Sequence, residues 1–413
     1  MSKAIIIGSG VAGIASALRL NKKGYEVTVF EANPYAGGKI HAIEMGGYRF
    51  DAGPSLFTLP YLVDELFELY DVDPKKYFNY KKKDIICNYF WEDGTTFSSK
   101  ADATQFVDEA AATFDTPKKT LSKYLTNSKK KYEATASIFL EKSLHKLGSY
   151  LSKDTIKAIL TIPQLHLNQS LDALNTKTFS NPKLIQFFNR FATYNGSSPY
   201  KTPGIMSMIP HLEMHIGAYY PKGGMHRISQ SLYEFAEQQG VTFHFNQKVS
   251  DITHSNNIIN GVKVNGVQHA ADIVVSNMDV FSTYEHLLKD FPSPKRVINE
   301  ERSCSAIIFY WGIRKQFPQL DLHNILFASD YKNEFKNIFD DFVVQTDPSI
   351  YINITGKEES DAPEGCENWF VMINVPVNFS QDWEQQRLQA RKTVVRKINR
   401  MLNTDLDSLI EVE

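Results

Sequence analysis

"KAIIIGSGVAGIASAL", residues 3–18, joins an apolar run to three glycines and then to an alanine-rich segment. Ala4 to Ile7 is short, apolar and closed by glycine, the pattern of a buried parallel strand. Gly8, Gly10 and Gly13 follow as GxGxxG. In that motif the first glycine permits the tight turn, the second lets the backbone approach a pyrophosphate, and the third lets the next helix pack on the strand. The continuation "VAGIASALRLNKKG" (residues 11–24) reads as a helix ending at Gly24, a C-cap residue. Its first turn, at Val11 and Ala12, offers free amides and a dipole that favour phosphate oxygens.

The second strand, "YEVTVFE" (residues 25–31), ends in Glu31, 18 positions after Gly13 (31 − 13). An acid about 20 residues past the glycines accepts ribose hydroxyls and disfavours a 2′-phosphate, hence NADP. Strand, helix, strand and acid in this order make a dinucleotide site the expectation. Two further segments enlarge it. "EANPYAGGK" (residues 31–39) adds Gly37 and Gly38, and "GYRFDAGPSLFT" (residues 47–58) adds Gly53. A second glycine-rich loop holds more cofactor than one dinucleotide half needs, which argues against an NAD-dependent dehydrogenase.

A chain of 413 residues exceeds the usual single core, so two or three domains are expected. Its formal net charge of −2 gives no reason to expect nucleic-acid binding. No apolar run is long enough to span a bilayer, and the first residues form a strand and glycine turn instead of a signal core, so a cytoplasmic protein is expected. Cys87, Cys304 and Cys366 are scattered, with no CxxC, and read as free thiols. The sequons at Asn168, Asn353 and Asn378 read as chance, and neither HxxxH nor HExxH spacing is picked out among the eleven histidines, so metal catalysis is not expected.

The ordered motifs resemble the flavin-containing amine oxidase and phytoene desaturase superfamily, whose signature is GxGxxG, an acid, then GG with a basic residue, here Lys39. Later stretches are similar to its carotenoid desaturase branch: "FDAGPSLFTLP" from Phe50, "NRFATYNGSSPYKTP" from Asn189, "YYPKGGMHRISQSL" from Tyr219, "ADIVVSNMDV" from Ala271 and "DPSIYINITGKEESDAPEG" from Asp347. The loops "YFWEDGTTF" and "DAGPSLFT" look most like those of hydroxycarotenoid 3,4-desaturases. The resemblance implies an α/β chain: a Rossmann-like FAD-binding domain, a mixed-sheet substrate domain and a helical, membrane-associating subdomain. It implies FAD held by Gly8, Gly10, Val11, Ala12, Gly13, Glu31, Ala32, Gly38, Lys39, Gly53, Pro54 and Ser55, with the backbone of Val249 against adenine. The family closes its flavin site with a glycine-rich C-terminal motif; the 413 residues end in "DLDSLIEVE" without one.

Residues 1–72 and 221–280 are assigned to the FAD domain. Within them "GVTFHFNQKVSDI" reads as strand and turn, and "NGVKVNGVQHAADIVVSN" as a hairpin leading to a strand. Residues 81–100 and 281–413 are assigned to the substrate sheet, with a hairpin at Asp93-Gly94. Residues 101–220 read as helical. Residues 118–160 hold ten lysines against three acids, Glu133, Glu141 and Asp154, a local excess of seven (10 − 3). Leu140, Leu144, Leu147 and Leu151 repeat at helical spacing beside them. A basic amphipathic helix can lie on anionic lipid, and a solvated lysine face reads equally well. For a carotenoid substrate the first reading places the protein peripherally at the inner face of the cell membrane.

The expected chemistry is removal of two hydrogens from a carbon pair beside a polyene, with hydride transfer to the flavin and electrons passing on to oxygen or a quinone. No paired carboxylate or Ser-His-Asp order is found. His166, Glu213 and His215 are candidate proton acceptors, although a structural role weighs more for each. Three alternatives share the FAD half: a phytoene desaturase, another amine-oxidase-type oxidase, and a non-catalytic isoprenoid-binding escort protein.

Overall fold

The computed structural model describes residues 1–139, 165–378 and 381–413. The leucine stripe at 140–151 lies outside the described residues. The chain divides into two compact units, Met1–Lys82 with Tyr219–Glu301, and Lys83–Ala218 with Arg302–Glu413.

The first unit is built on β1 (Lys3–Ile7), α1 (Val11–Lys22) and β2 (Glu26–Phe30). A parallel sheet runs in the order Ile273–Ser276, β1, β2, Thr242–His244. Alternation explains why Ala4–Ile7 is apolar throughout. Ala4 and Ile6 join Ile14, Ala17 and Leu18 of α1 on one face, whereas Ile5 and Ile7 join Val249, Ile252, Val262 and Val264 on the other. Those last residues belong to an antiparallel meander of Val249–Ser255, Ile258–Val264 and Val267–Ala270, the expected hairpin leading to the strand Ile273–Ser276. Helix α1 stops as expected: Gly24 takes φ +87° and donates to the Asn21 carbonyl at 2.8 Å. The helix His226–Gln238 packs on the α1 side through Ile228, Leu232, Phe235 and Ala236.

The second unit carries a seven-stranded mixed sheet. Ile85–Phe90 and Thr96–Lys100 form the hairpin at Asp93-Gly94, with Gly94 at φ +84°. Ser305–Ile313 pairs antiparallel with Glu367–Val375, and His323–Leu326 joins Ile85–Phe90 in parallel. One sheet face, with Phe309, Trp311, Trp369 and Val371, buries against Ala390, Val394 and Ile398 of the helix Trp383–Leu402. The helical segment shares this unit because its aromatics pack on the hairpin. Phe187 meets Tyr89 at 4.9 Å and Phe97 at 5.5 Å between ring centroids, and Phe114 meets Phe97 at 5.1 Å.

Lys118–Phe139 is one helix. Its lysines are not a uniform solvated face. Lys129 sits beside Glu133 at 3.8 Å, and Lys131 is buried, its Nζ donating to Ser207 Oγ at 2.6 Å. Among the described residues no helix is long and apolar enough to cross a membrane.

Candidate functional site

The three motif glycines are each enforced by a neighbour. Gly8 turns the chain at φ +91° and its N–H donates to the Phe30 carbonyl at 2.8 Å, which ties the end of β1 to the end of β2. A Cβ on Gly13 would lie 2.2 Å from the Gly8 carbonyl oxygen, so only glycine lets α1 approach β1 this closely. A Cβ on Gly10 would lie 2.6 Å from Asn277 Nδ2. Asn277 follows the strand Ile273–Ser276, whose pairing with β1 delivers it to the turn; its N–H donates to the Ile7 carbonyl at 2.9 Å. Helix geometry leaves the first-turn amides of Val11, Ala12 and Gly13 without intrahelical acceptors, and no acid stands in that turn to occupy them.

The second glycine loop lies on the first. Gly37 donates to the Ser9 carbonyl at 2.8 Å and bridges Gly10 in parallel. Gly38, at φ +60°, would place a Cβ 3.3 Å from the Gly10 Cα. Gly53, at φ +82°, would place one 2.1 Å from the Lys39 carbonyl oxygen, so the "DAGPS" loop turns against the "AGGK" loop. Pro54 and Lys39 are exposed and Ser55 is half-buried beside them. Backbone, helix dipole and absence of side chains together form a cradle that fits a dinucleotide pyrophosphate.

Glu31 is buried at the end of β2. Its Oε2 accepts from Ser9 N at 2.7 Å and Ser9 Oγ at 2.8 Å; its Oε1 accepts from Asn33 N at 2.8 Å and Nδ2 at 2.9 Å. The carboxylate thus fixes the glycine turn. Ala32 next to it is exposed, and Val249 is buried beside Phe30 in the sheet core. The structure therefore brings Gly8, Gly10, Gly13, Gly38, Gly53 and Glu31 into one cradle, with Val249 at the strand edge behind β2.

Several residues of the cradle escaped sequence reasoning. Asp51 is buried, accepting from Met225 N at 2.7 Å and from Arg49 Nη2 at 2.9 Å. It ties "DAGPS" to the start of the helix His226–Gln238. A Cβ on Gly224 would lie 2.8 Å from Asp51 Oδ1, and Gly223 takes φ +87°, so each glycine of "PKGGM" has its own reason. Ser229 lies against Gly37, 2.5 Å from a Cβ there. Asn277 and Asp51 both sit within quoted motifs; the signal was polar residues adjoining glycine turns.

The three candidate proton acceptors lie in the second unit. Glu213 is buried, accepting from Arg190 Nη2 at 2.5 Å and from the Tyr194 hydroxyl. Burial opposes the charge on Arg190, but the Glu213 carboxylate together with Tyr89, Tyr194 and Cys87 raises the guanidinium pKa overall. Glu213 is committed to that ion pair. His215 stands four residues from His211, rings 4.6 Å apart, so the chain does carry one HxxxH spacing, contrary to the expectation from sequence. Among the described residues no third ligand joins them. Burial lowers the pKa of both rings, that of His211 to about 4. His166 Nδ1 accepts from Gln169 Nε2 at 2.9 Å, and burial, then Lys131 and Lys177, lowers its pKa. Cys87 is buried and its thiol pushed up to about 12, which removes it as a nucleophile.

The profile of the flavin containing amine oxidoreductases matches residues 11–300. The chain belongs to that family. A 1-hydroxycarotenoid 3,4-desaturase from Flavobacterium sp. is 61% identical over 414 residues, covering 100% of this chain and 84% of that protein. A phytoene desaturase from Fusarium fujikuroi is 30% identical, covering 99% of this chain and 76% of that one. An oxidoreductase from Methanosarcina mazei has the same fold, with TM-score 0.62 at 18% identity over 97% of this chain and 84% of that one. As a member of the flavin-containing family the chain is an FAD-dependent oxidoreductase.

Proposed function

We propose that the chain is an FAD-dependent carotenoid desaturase that introduces the 3,4 double bond into a 1-hydroxycarotenoid. The observation that carries this reading is the 61% identity, over 100% of the chain, with a 1-hydroxycarotenoid 3,4-desaturase. The amides of Val11, Ala12 and Gly13 hold the pyrophosphate, Gly10 and Gly38 leave it room, and Glu31 keeps Ser9 and the turn in place. Lys39, Pro54 and Ser55 line the approach beyond the second loop, and the backbone of Val249 borders adenine. When bound, FAD supplies the two-electron sink for a hydride leaving the substrate, with oxygen or a quinone as final acceptor.

The chain's own contribution is to bind a long apolar molecule and exclude water. The sheet face opposite the helix Trp383–Leu402 suits that task. Ile308, Tyr310, Met372 and Tyr351 share it by register and are half-buried, and Phe370 lies between Tyr310 and Tyr351 at centroid distances of 5.7 and 6.1 Å. A polyene lies well on such an aromatic and aliphatic surface. Apolar burial is not directional, so a polar partner for the hydroxylated end must set the register. Peripheral association at the inner membrane face is part of the proposal, supported by the exposed Lys118, Lys119, Lys123, Lys129 and Lys130 on one helix.

The test is incubation of the flavin-loaded protein with 1-hydroxycarotenoids and with phytoene, followed by mass and absorbance analysis of the products. Loss of two hydrogens and a red shift from the hydroxycarotenoid is expected. Efficient conversion of phytoene with hydroxycarotenoids untouched would replace this reading with a phytoene desaturase. Retention of carotenoid without turnover would replace it with a carrier.

A further inference from the structure

We infer that the helical segment of the second unit contains a binding site for a phosphate-bearing anion, formed by Lys119, Lys123, Lys131, Lys177, His166 and Ser207 around a cavity of about 620 Å³. The site is separate from the dinucleotide cradle, which belongs to the other unit.

The first observation is the cavity itself. Its volume lies within the range of small-molecule pockets, and four of its lining side chains are lysines. Lys119, Lys123, Asn127 and Lys131 all line it, at positions four apart on the single helix Lys118–Phe139, so one helix ridge faces the space. Like charges at that spacing repel and destabilise an unliganded helix. The ridge begins at the helix N-terminus, whose dipole adds positive potential, and no acid lies in the first turn.

The second observation is Lys131. Two lysines are buried among the described residues, and they are solved differently. Lys397 donates to Asp347 Oδ1 at 2.5 Å and to the carbonyls of Phe327 and Pro348, each at 2.9 Å. Lys131 donates to one neutral hydroxyl, Ser207 Oγ, at 2.6 Å, and among the described residues no carboxylate stands within ion-pair distance. A buried ammonium costs several kcal/mol unless paired, and burial alone pulls Lys131 down to about 8. Ser207 accepts from Lys131 while its own proton goes to the Gly204 carbonyl at 2.6 Å, but a neutral hydroxyl supplies no counter-charge. An anion in the cavity supplies the missing counter-charge to Lys131 and relieves the repulsion along the ridge.

The chemistry selects phosphate. Lysines act as point charges toward phosphate, and the hydroxyls of Thr120 and Thr178 and the amide of Asn127 add neutral donors at the same wall. Among the described residues no carboxylate lines the cavity to pair with a cationic ligand, and its single tyrosine, Tyr124, has its hydroxyl committed to Asn175 Oδ1 at 2.8 Å. Two sources carry this group, a lipid headgroup at the bilayer surface and free phosphate in solution.

The flavin-saturated protein is used, so that the dinucleotide cradle is filled and cannot report phosphate. Inorganic phosphate is titrated against chloride at matched ionic strength, which controls for general screening of exposed lysines. In parallel, the protein is sedimented with vesicles of phosphatidylcholine alone and with phosphatidylglycerol added. Variants Lys131→Met, which keeps the side-chain volume, and Lys123→Gln with Lys177→Gln, both exposed and remote from the core, are compared. A midpoint of thermal unfolding that rises with phosphate and not with chloride identifies free phosphate. Sedimentation with phosphatidylglycerol alone identifies the headgroup. In either case both variants weaken binding about tenfold, the scale of one lost charge-assisted hydrogen bond. Wild type and both variants behaving alike toward phosphate, chloride and both vesicles would overturn the site. So would phosphatidylglycerol binding that the variants leave unchanged.

Discussion

Asp51 accepts the backbone N–H of Met225 at 2.7 Å across 174 positions of sequence. The same carboxylate accepts from Arg49 Nη2 at 2.9 Å and from His226 N at 3.4 Å. It therefore caps the helix His226–Gln238 and anchors the loop that follows it on the hairpin strand Tyr48–Ala52. Asp51→Ala leaves the buried Met225 amide without its acceptor and removes the carboxylate from the Arg49 guanidinium, which still donates to the Gly223 carbonyl at 3.2 Å. The expected loss is about 2 kcal/mol, the sum of a missing cap and an unsatisfied donor. Thermal unfolding reads the loss, and released flavin should appear at lower temperature than in wild type. Asp51→Asn keeps one acceptor and should lie between the two.

Gly10 and Gly13 separate cofactor binding from folding. Gly10 has φ −63°, open to any residue, and its nearest obstacle is the end of the Asn277 side chain. Gly10→Val should keep the secondary structure and empty the cradle, so flavin content collapses while circular dichroism holds. Gly13→Ala instead meets a backbone oxygen at 2.2 Å and must push α1 from β1. A cost of about 1–3 kcal/mol is expected from overpacking. Unchanged flavin content in Gly10→Val would remove the cofactor from this turn.

Glu31 offers four acceptor positions and all face donors from Ser9 and Asn33. Glu31→Gln turns one oxygen into an NH2 group, which points a donor at a donor. Flavin affinity should fall by about tenfold or more through the displaced turn. Ser9→Ala removes only the hydroxyl bond and should weaken binding less. Equal effects of the two variants in flavin titration would mean that Glu31 does not position the turn.

Local motifs were legible because their physics is local. GxGxxG, the Gly24 stop and the Asp93-Gly94 hairpin each lie within a few residues of what they determine. The parallel pairing of Asn324–Leu326 with Asn88–Phe90 was not legible, since neither strand carries a mark of its distant partner. Asp51 read as part of a glycine loop, because a helix cap supplied from another segment has no fixed spacing. Lys131 read as one of a lysine run. Only packing against Ser207 shows that this member of the run turns inward.

His323 gives the second unit an acid limit. Its Nδ1 lies 2.7 Å from the Tyr351 hydroxyl and 3.1 Å from Asn353 Nδ2. Burial first, then Lys83 and Arg190, lowers its pKa from 6.5 to about 3. Below pH 6.5 the unfolded chain binds a proton that the folded ring refuses until about pH 3. The unfolded state then holds more protons, so stability falls as pH drops through this window. His323→Gln removes that proton from the balance. The stability difference between the variant and wild type should therefore shift in favour of the variant from pH 7 to pH 4, measured by denaturant unfolding. A difference that stays constant with pH would show that the ring titrates normally.

Arg190 and Glu213 decide whether a buried carboxylate is chemistry or architecture. Arg190 lies over the Phe191 ring at 4.1 Å and the Tyr89 ring at 5.2 Å, with Glu213 Oε2 at 2.5 Å. The guanidinium stays charged at any working pH, because Glu213 with Tyr89, Tyr194 and Cys87 around it raises its pKa despite burial. Glu213→Gln therefore strands a buried cation, at a cost of about 3–5 kcal/mol. Replacing both partners with apolar residues, Arg190→Met with Glu213→Leu, strands nothing and should cost much less than the single change. This non-additivity is the signature of a structural pair. A proton acceptor behaves otherwise. Its loss leaves the fold intact and stops turnover in every folded molecule, and the apolar double variant is as inactive as the single. Turnover counted per flavin-bound, folded molecule separates the cases. We expect Glu213→Gln to lower the amount of folded protein while the molecules that fold keep their rate. A stable, flavin-loaded and inactive Glu213→Gln enzyme would return Glu213 to the chemistry.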